Sequence, residues 1–140
     1  MNKNLMSMQT IVLVEDDEIL AEVLATELSD AGFKVFRASD GEAGLALAKT
    51  KNPDLVLLDL ILPKKHGFEV LEELKGSPDT HHIAIIVLTL LGEDDDIKKG
   101  LSLGADDYIV KSSHAVAEIV EMVKSFLLKK NATPILKKSK

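Results

Sequence analysis

Carboxylate side chains follow two short apolar runs of the sequence, at the point where each run ends. Glu15 and Asp16 come directly after residues 11–14, and Asp59 comes directly after residues 55–58. Carboxylates gathered at one place repel each other, and their ionisation is costly unless a cation or a proton compensates. Magnesium takes oxygen ligands and commonly lies between one or two carboxylates and a phosphate. The three residues are therefore candidate Mg²⁺ ligands, with sodium or plain solvation as the alternative.

A hydroxyl and an ammonium group are associated with two further apolar runs. Thr89 comes after residues 83–88, and Lys111 comes after residues 108–110. A weaker fifth run covers residues 34–38. The strongest runs are continuous rather than alternating, as expected of parallel strands that are covered on both faces. We therefore interpret the runs as five strands of one parallel sheet.

Helical spacing of apolar residues separates the five runs. The predicted helices cover, in chain order, about residues 19–28, 41–51, 67–75, 93–103 and 116–127. Asp17, which precedes the first helix, is predicted to cap it. Alternation of strand and helix implies a parallel sheet with helices on both faces, and the ligands of such sheets bind beyond the carboxyl ends of the strands. This topology brings three carboxylates, one hydroxyl and one ammonium group to one edge.

Composition narrows the class of protein. The chain has 140 residues, 46% of them hydrophobic and 29% charged, which is ordinary for one folded domain. The absence of cysteine excludes disulfides, thiolate metal sites and cysteine nucleophiles. A net charge of −6 argues against binding to nucleic acid or anionic lipid, and no apolar run approaches the ~20 residues of a membrane span. The sequence predicts a cytoplasmic domain over residues 10–130, an N-terminal tail over 1–9 and a loosely ordered basic tail over 131–140.

Four segments resemble the signature of response regulator receiver domains of two-component phosphorelay signalling: VLVEDDE (12–18), PDLVLLDLILP (53–63), IIVLT (85–89) and GADDYIVK (104–111). Asp16, Asp59, Thr89 and Lys111 follow one another at intervals of 43, 30 and 22 residues, which are also typical of that family. The resemblance covers about residues 10–130. It implies an α/β fold, the flavodoxin-like doubly wound (βα)5 three-layer sandwich, with a parallel sheet of order 2-1-3-4-5.

The resemblance implies a metal-dependent phosphoacceptor. Asp59 would be the carboxylate nucleophile that forms an aspartyl phosphate. Asp16 and Asp59 would bind Mg²⁺ directly, together with the main-chain carbonyl of Ile61. Glu15 would act through a metal-bound water.

The resemblance also implies a phosphoryl-binding pair and a switch. Lys111 would pair with a phosphoryl oxygen and neutralise charge that develops during transfer. Thr89 would donate its hydroxyl to another phosphoryl oxygen. Tyr108 resembles the aromatic switch residue that turns inward when Thr89 moves.

Three departures from the family pattern concern access to the site and the shape of its loops. Leu90 stands where many receivers have a small residue, so it is predicted to narrow access to Asp59. Ser112 replaces the proline that usually follows the lysine through a cis bond. Either the fold holds a cis bond here under strain or the loop is rebuilt, and we favour the cis bond. Residues 64–67 read Lys-Lys-His-Gly instead of a common Met-Asp-Gly, and the lysines could either help to hold a phosphoryl group or be solvated.

A fourth departure concerns the lifetime of the phosphorylated state. In this family the residues two beyond the phosphoacceptor and two beyond the threonine tune self-dephosphorylation, often by placing an attacking water. Here they are Ile61 and Leu91, and neither side chain can form a hydrogen bond with water. The sequence therefore predicts slow autodephosphorylation.

The function implied by these residues is that of a stand-alone signalling phosphoacceptor, which is not an enzyme beyond its own phosphotransfer and dephosphorylation. The expected phosphodonor is a sensor histidine kinase or a phosphotransfer protein. Since no output domain is encoded, the signal is expected to leave through an unknown downstream protein or a homodimer. The family analogy places that exchange on the face of the fourth helix, fifth strand and fifth helix. Neither DNA nor a membrane is an expected partner.

Two alternatives remain. A degenerate receiver could serve as a protein-binding module without phosphorylation, a possibility that rests on Leu90 and Ser112. A phosphatase-like hydrolase would also use an aspartate nucleophile, magnesium, threonine and lysine. Its nucleophile would lie in an aspartate-x-aspartate motif after the first strand, where this sequence has Glu15, Asp16 and Asp17.

Overall fold

A computed structural model of the chain describes the backbone of residues 8–138 and the side chains of residues 8–130. The strands are β1 (Thr10–Val14), β2 (Lys34–Ala38), β3 (Leu55–Leu58), β4 (Ala84–Thr89) and β5 (Asp107–Val110). The helices are α1 (Glu18–Asp30), α2 (Gly41–Lys51), α3 (Gly67–Gly76), α4 (Asp94–Ser102) and α5 (Val116–Lys138). All strand pairs are parallel, and the strand order is β2-β1-β3-β4-β5. The predicted doubly wound (βα)5 fold is confirmed.

The sheet has a core on each of its two faces because successive side chains of a strand point to opposite sides. On one face, Leu13 and Leu57 pack in a cluster that includes residues of α1 and α5. On the other, Val12 and Val56 pack in a cluster that includes residues of α2 and α3. Every residue of β3 and β4 is buried. This double burial explains why these strands are continuous apolar runs rather than alternating ones.

The first helix begins as predicted. Asp17 has an extended backbone, and its Oδ1 accepts hydrogen bonds from the N–H groups of Ile19 and Leu20, both at 3.1 Å. These contacts satisfy two of the N–H groups that have no partner within a helix. The cap sets the direction in which the chain leaves β1, directly after the carboxylates at its end.

The last helix is longer than predicted. Its backbone is helical to Lys138, and the loosely ordered basic tail expected over residues 131–140 remains a prediction. A helix that is already anchored by buried Ile119, Val123 and Leu127 extends without a new nucleation step, and this favours helix beyond the core. Residues 1–7 of the predicted N-terminal tail and residues 139–140 of the basic tail lie outside the described residues.

The loop after β5 also differs from the prediction. Residues 8–138 contain no cis peptide bond, so the predicted cis bond between Lys111 and Ser112 is wrong. The chain instead forms a turn of 3₁₀ helix over Lys111–Ser113, closed by a bond from the N–H of His114 to the carbonyl of Lys111. Without proline, a cis bond would cost about 2.5–4 kcal/mol, and the rebuilt loop does not require it.

Candidate functional site

Buried polar side chains occupy the carboxyl ends of three neighbouring strands. Glu15 follows β1, Asp59 follows β3, and Thr89 ends β4, with 3%, 6% and 0% of their surfaces exposed. The Asp59 N–H donates to the carbonyl of Val14, which continues the β1–β3 ladder and holds the aspartate beside the end of β1. Asp16, one residue beyond Glu15, is exposed. The structure therefore brings the predicted acidic residues together at one edge.

Lys111 bridges two of these carboxylates. Its Nζ lies 2.6 Å from Glu15 Oε1 and 3.1 Å from Asp59 Oδ2. Burial alone would lower the pKa of Lys111, but the hydrogen bonds and negative charges of Glu15 and Asp59 outweigh it, and that pKa lies above its ordinary value. The ammonium group is therefore held protonated against the Asp59 carboxylate.

Burial raises the pKa of Glu15, the closer partner of this lysine. The effect of burial outweighs the hydrogen bonds from Lys111 and from the N–H of Asp17, which lower that pKa. The nearby charge of Asp59 raises it as well. The site thus holds more negative charge than one lysine compensates.

Glu15, Asp16 and Asp59 form the candidate metal site. Each can offer a carboxylate oxygen, and these oxygens all lie within 4.8 Å of one another. Oxygen donors with surplus negative charge at one solvent-accessible edge fit a hard divalent cation such as Mg²⁺. Asp59 Oδ1 also accepts hydrogen bonds from the N–H groups of Leu60 and Ile61, at 2.7 and 3.4 Å. The Asp59 carboxylate is therefore oriented by the backbone as well as by Lys111.

A chain of contacts leads from Thr89 to the aromatic residue of β5. The N–H of Leu91 lies 3.4 Å from Thr89 Oγ1, and the carbonyl of Leu91 accepts a 2.6 Å hydrogen bond from the Tyr108 hydroxyl. Burial, followed by the charges of Asp96 and Asp59, raises the pKa of Tyr108 to about 12. The tyrosine ring is thus turned inward and bonded to the loop that follows Thr89.

The loop between β3 and α3 includes a helix cap that the sequence analysis did not predict. His66 caps α3: its Nδ1 accepts from the Phe68 N–H at 3.0 Å, and Glu69 Oε1 accepts from the His66 N–H at 3.1 Å. The N–H of Gly67 donates to the carbonyl of Leu60 at 2.8 Å. The spacing of His66 and Glu69, three residues apart before an apolar run, is the signal that could have revealed this cap.

The two loop lysines pair with carboxylates other than Asp59. Lys65 Nζ lies 2.6 Å from Glu73 of α3, and Lys64 Nζ lies 3.8 Å from Asp40 before α2. Lys64 is 62% exposed, which is consistent with the solvated alternative, whereas Lys65 is 25% exposed and paired with Glu73. Leu90 is 65% exposed, and its predicted effect on access to Asp59 remains a prediction.

The sequence profile of the response regulator receiver domain matches residues 11–124, which is most of the chain. The chain belongs to this family. Within the described residues, no helix of the receiver is long and apolar enough to cross a membrane.

Relatives of this receiver agree in fold and in family. The probable transcriptional regulator ycf27 of Cyanophora paradoxa is 42% identical over 126 residues, covering 89% of this chain and 51% of that protein. The Mn²⁺-bound form of the response regulator Rcp1 is 32% identical with a TM-score of 0.76, covering 86% of this chain and 95% of the other. The phosphorylated cyanobacterial phytochrome response regulator RcpA is 31% identical with a TM-score of 0.74, covering 91% and 96%. The chain spans about half the length of the curated relatives it matches.

Proposed function

We propose that this response regulator receiver accepts a phosphoryl group on Asp59 in a Mg²⁺-dependent reaction. The observation that carries the proposal is the position of Lys111 Nζ, 3.1 Å from Asp59 Oδ2 and beside an acidic cluster with room for a cation. Ion pairing of Lys111 with Glu15 and Asp59 alone would not require the third carboxylate, that of Asp16. The phosphoryl donor is a sensor histidine kinase or a phosphotransfer protein.

The reaction transfers a phosphoryl group from a histidine nitrogen to a carboxylate oxygen. An oxygen of Asp59 forms the new P–O bond as the P–N bond of the donor breaks, and the electron pair of that bond returns to the imidazole. Asp16, Asp59 and the carbonyl of Ile61 would hold Mg²⁺, which neutralises phosphoryl charge when it is bound. Lys111 exchanges part of its contact with Asp59 for a phosphoryl oxygen, and Thr89 donates its hydroxyl to another.

Two related structures support this chemistry. The similar response regulator Rcp1 is described in a Mn²⁺-bound form, and the similar regulator RcpA is described as phosphorylated. Mn²⁺ and Mg²⁺ both favour oxygen ligands in octahedral sites. Both relatives are thus consistent with a divalent cation and a phosphoryl group at the acidic edge of this receiver.

Exposed apolar side chains at the same edge suit a protein donor. Ile19, Ile61 and Leu90 are exposed, and each lies within a few residues of the carboxyl end of β1, β3 or β4. Large apolar side chains at a charged edge favour docking of a macromolecular surface over a small ligand. We therefore expect the phosphotransfer partner to cover this edge when it presents its histidine to Asp59.

The output is a change on the face of α4, β5 and α5. Phosphoryl binding by Thr89 would move the loop that contains Leu91, and Tyr108 would carry that movement to β5 through its hydrogen bond with Leu91. A downstream protein or a second copy of the receiver would read this face. Curated relatives of about twice this length are named as transcriptional regulators, which is consistent with a signalling output.

The phosphorylated state is expected to be long-lived. Ile61 is exposed and Leu91 is partly buried, and neither side chain can orient a water for attack on the phosphoryl group. The double variant Ile61→Asn/Leu91→Glu should lose phosphate faster than the parent protein. Equal decay rates would show that water placement by these positions is not what limits the reaction.

Intact-protein mass spectrometry after incubation with acetyl phosphate tests the proposal. We expect a gain of one phosphoryl group that requires Mg²⁺ and is absent from Asp59→Ala. Asp30→Ala, which removes an exposed aspartate at the end of α1, is the matched control and should be labelled like the parent. If folded protein gains no phosphoryl group from acetyl phosphate or from a phosphorylated phosphotransfer domain, the proposal is wrong. A binding module that works without phosphorylation would then be favoured.

A further inference from the structure

The ring of Tyr108 rests directly on the backbone of α4 at a glycine. Gly100 is the one residue of α4 that is buried. A Cβ atom at this position would lie 2.9 Å from Cδ2 and 3.0 Å from Cε2 of Tyr108. Real Cβ atoms essentially never approach so closely, so the ring occupies space that any other residue would fill. Phe68 of α3 lies on the same side, 3.8 Å from that Cβ position.

Gly100 is an unfavourable residue for its position inside α4. Glycine is unfavourable in helix interiors relative to alanine, and α4 has only nine residues. Gly100 therefore weakens an already short helix. Packing of Tyr108 explains the glycine. Because Gly100 has no side chain, the ring packs directly on the helix backbone while its hydroxyl reaches the carbonyl of Leu91 at 2.6 Å. The ring is held at both ends.

The contact between Gly100 and Tyr108 involves none of the residues that would bind the phosphoryl group or the metal. An interaction of this kind favours the inward ring to the same extent whether or not Asp59 carries a phosphoryl group. It therefore shifts the balance between inward and outward rings in both states of the receiver.

We propose that Gly100 is a positioning residue for Tyr108, which biases the aromatic switch toward its inward position even before phosphorylation. The inference rests on the proposed function, since the switch has a meaning only in a phosphoacceptor. Its consequence is a receiver whose α4–β5–α5 face is already largely arranged for output. Phosphorylation would then change this face less than it would with a bulkier residue at position 100.

The chain itself supplies a clean probe of the ring. Tyr108 is its single tyrosine and there is no tryptophan, so tyrosine fluorescence reports on this ring alone. Acrylamide quenching of that fluorescence would be measured on the full chain, with and without acetyl phosphate and Mg²⁺. The variant is Gly100→Ala. The matched control is Gly76→Ala, the same change at a helical glycine where an added Cβ meets nothing within 4 Å.

We expect the quenching constant of Gly100→Ala to exceed that of Gly76→Ala by about twofold or more, because an outward ring exposes more area to collisions. In the parent protein the constant should be low and change little when acetyl phosphate and Mg²⁺ are added. In Gly100→Ala it should fall on phosphorylation. Labelling of Asp59, followed by mass, should be similar in all three proteins, a result that a general loss of structure would not produce.

Two results would overturn the inference. One is equal quenching of Gly100→Ala and Gly76→Ala. The other is a severalfold fall in quenching of the parent protein on phosphorylation, which would mean that the ring is mainly outward beforehand. The second result is accessible even if Gly100→Ala does not fold. Absence of labelling would count against the proposed function alone, since the quenching of the unlabelled variants still tests the role of Gly100.

Discussion

Replacement of Lys111 by methionine should destabilise the fold through the two carboxylates that it bridges. Methionine retains much of the apolar stem but removes the charge. At an effective dielectric constant of 20, the attraction at 2.6 Å to Glu15 and 3.1 Å to Asp59 amounts to about 6 and 5 kcal/mol. Desolvation of the ammonium group offsets most of this. Removal of one partner from a buried pair leaves a net loss of about 3–5 kcal/mol in the free energy of unfolding.

The loss should depend on pH in a defined direction. Glu15 has a pKa above its ordinary value of 4.5, raised by burial and held down in part by its hydrogen bond from Lys111. Without that bond the pKa of Glu15 rises further. A group with a raised pKa in the folded state contributes stability that is fully present below its unfolded pKa and is lost as pH rises through the folded value. The deficit of Lys111→Met should thus be small near pH 4.5 and largest above the raised pKa of Glu15.

Urea denaturation at several pH values, in buffer without divalent cations, measures this deficit. Lys124→Met is the matched control. Lys124 pairs at 3.2 Å with Glu121, and the two side chains are 42% and 70% exposed, so its loss should change stability by about 0–1 kcal/mol at every pH. A Lys111→Met protein as stable as the parent at pH 8, or a deficit that does not shrink in acid, would refute the account based on uncompensated carboxylates.

Three further outcomes are expected from contacts near the site. Gly67→Ala places a methyl group against the backbone of Asp59, so acetyl phosphate labelling should fall by about tenfold or more for a displaced nucleophile; full labelling would show that the loop adapts. His66→Ala should lose about 1 kcal/mol of unfolding free energy in urea, while His66→Asp, which keeps an acceptor, should lose little, and equal losses would argue against the cap. In folded protein, absorbance at 295 nm should show Tyr108 ionising with a pKa of about 12, because burial disfavours the phenolate. The associated stability is present below pH 10 and is lost between pH 10 and 12, and a midpoint near 10 in the folded protein would contradict the inward ring.

Local patterns were sufficient to predict the strands and helices, whereas the strand order was implied by the family resemblance. Each predicted strand differs from the observed one by no more than one residue at either end, and all five helices were predicted. The reason is clearest for the central strands β1, β3 and β4, which are buried on both faces and therefore apolar almost throughout, so they stand out from their polar connections. The edge at which Glu15, Asp59 and Thr89 meet follows from the same topology, since the carboxyl ends of parallel strands share one side.

Three local features of the chain were not predicted: the trans bond after Lys111, the length of α5 and the cap at the start of α3. The bond after Lys111 is trans because serine in place of proline allows a 3₁₀ turn, whereas the family pattern suggested cis. The backbone of α5 continues to Lys138, beyond the apolar periodicity that predicted a helix to about residue 127, because an anchored helix extends easily. The cap by His66 was missed since histidine is an uncommon acceptor at that position.

The sequence by itself determined which segments are buried and which polar residues end the strands, because both depend on neighbours along the chain. Only the tertiary structure decided how those residues are paired. Lys111 binds Asp59, which is 52 residues away in the sequence, and the ring of Tyr108 in β5 packs against Gly100 in α4. Such contacts form or break with shifts of a few tenths of an ångström in the spacing of separately packed helices and strands. Packing of the whole fold sets those distances, and no local pattern encodes them.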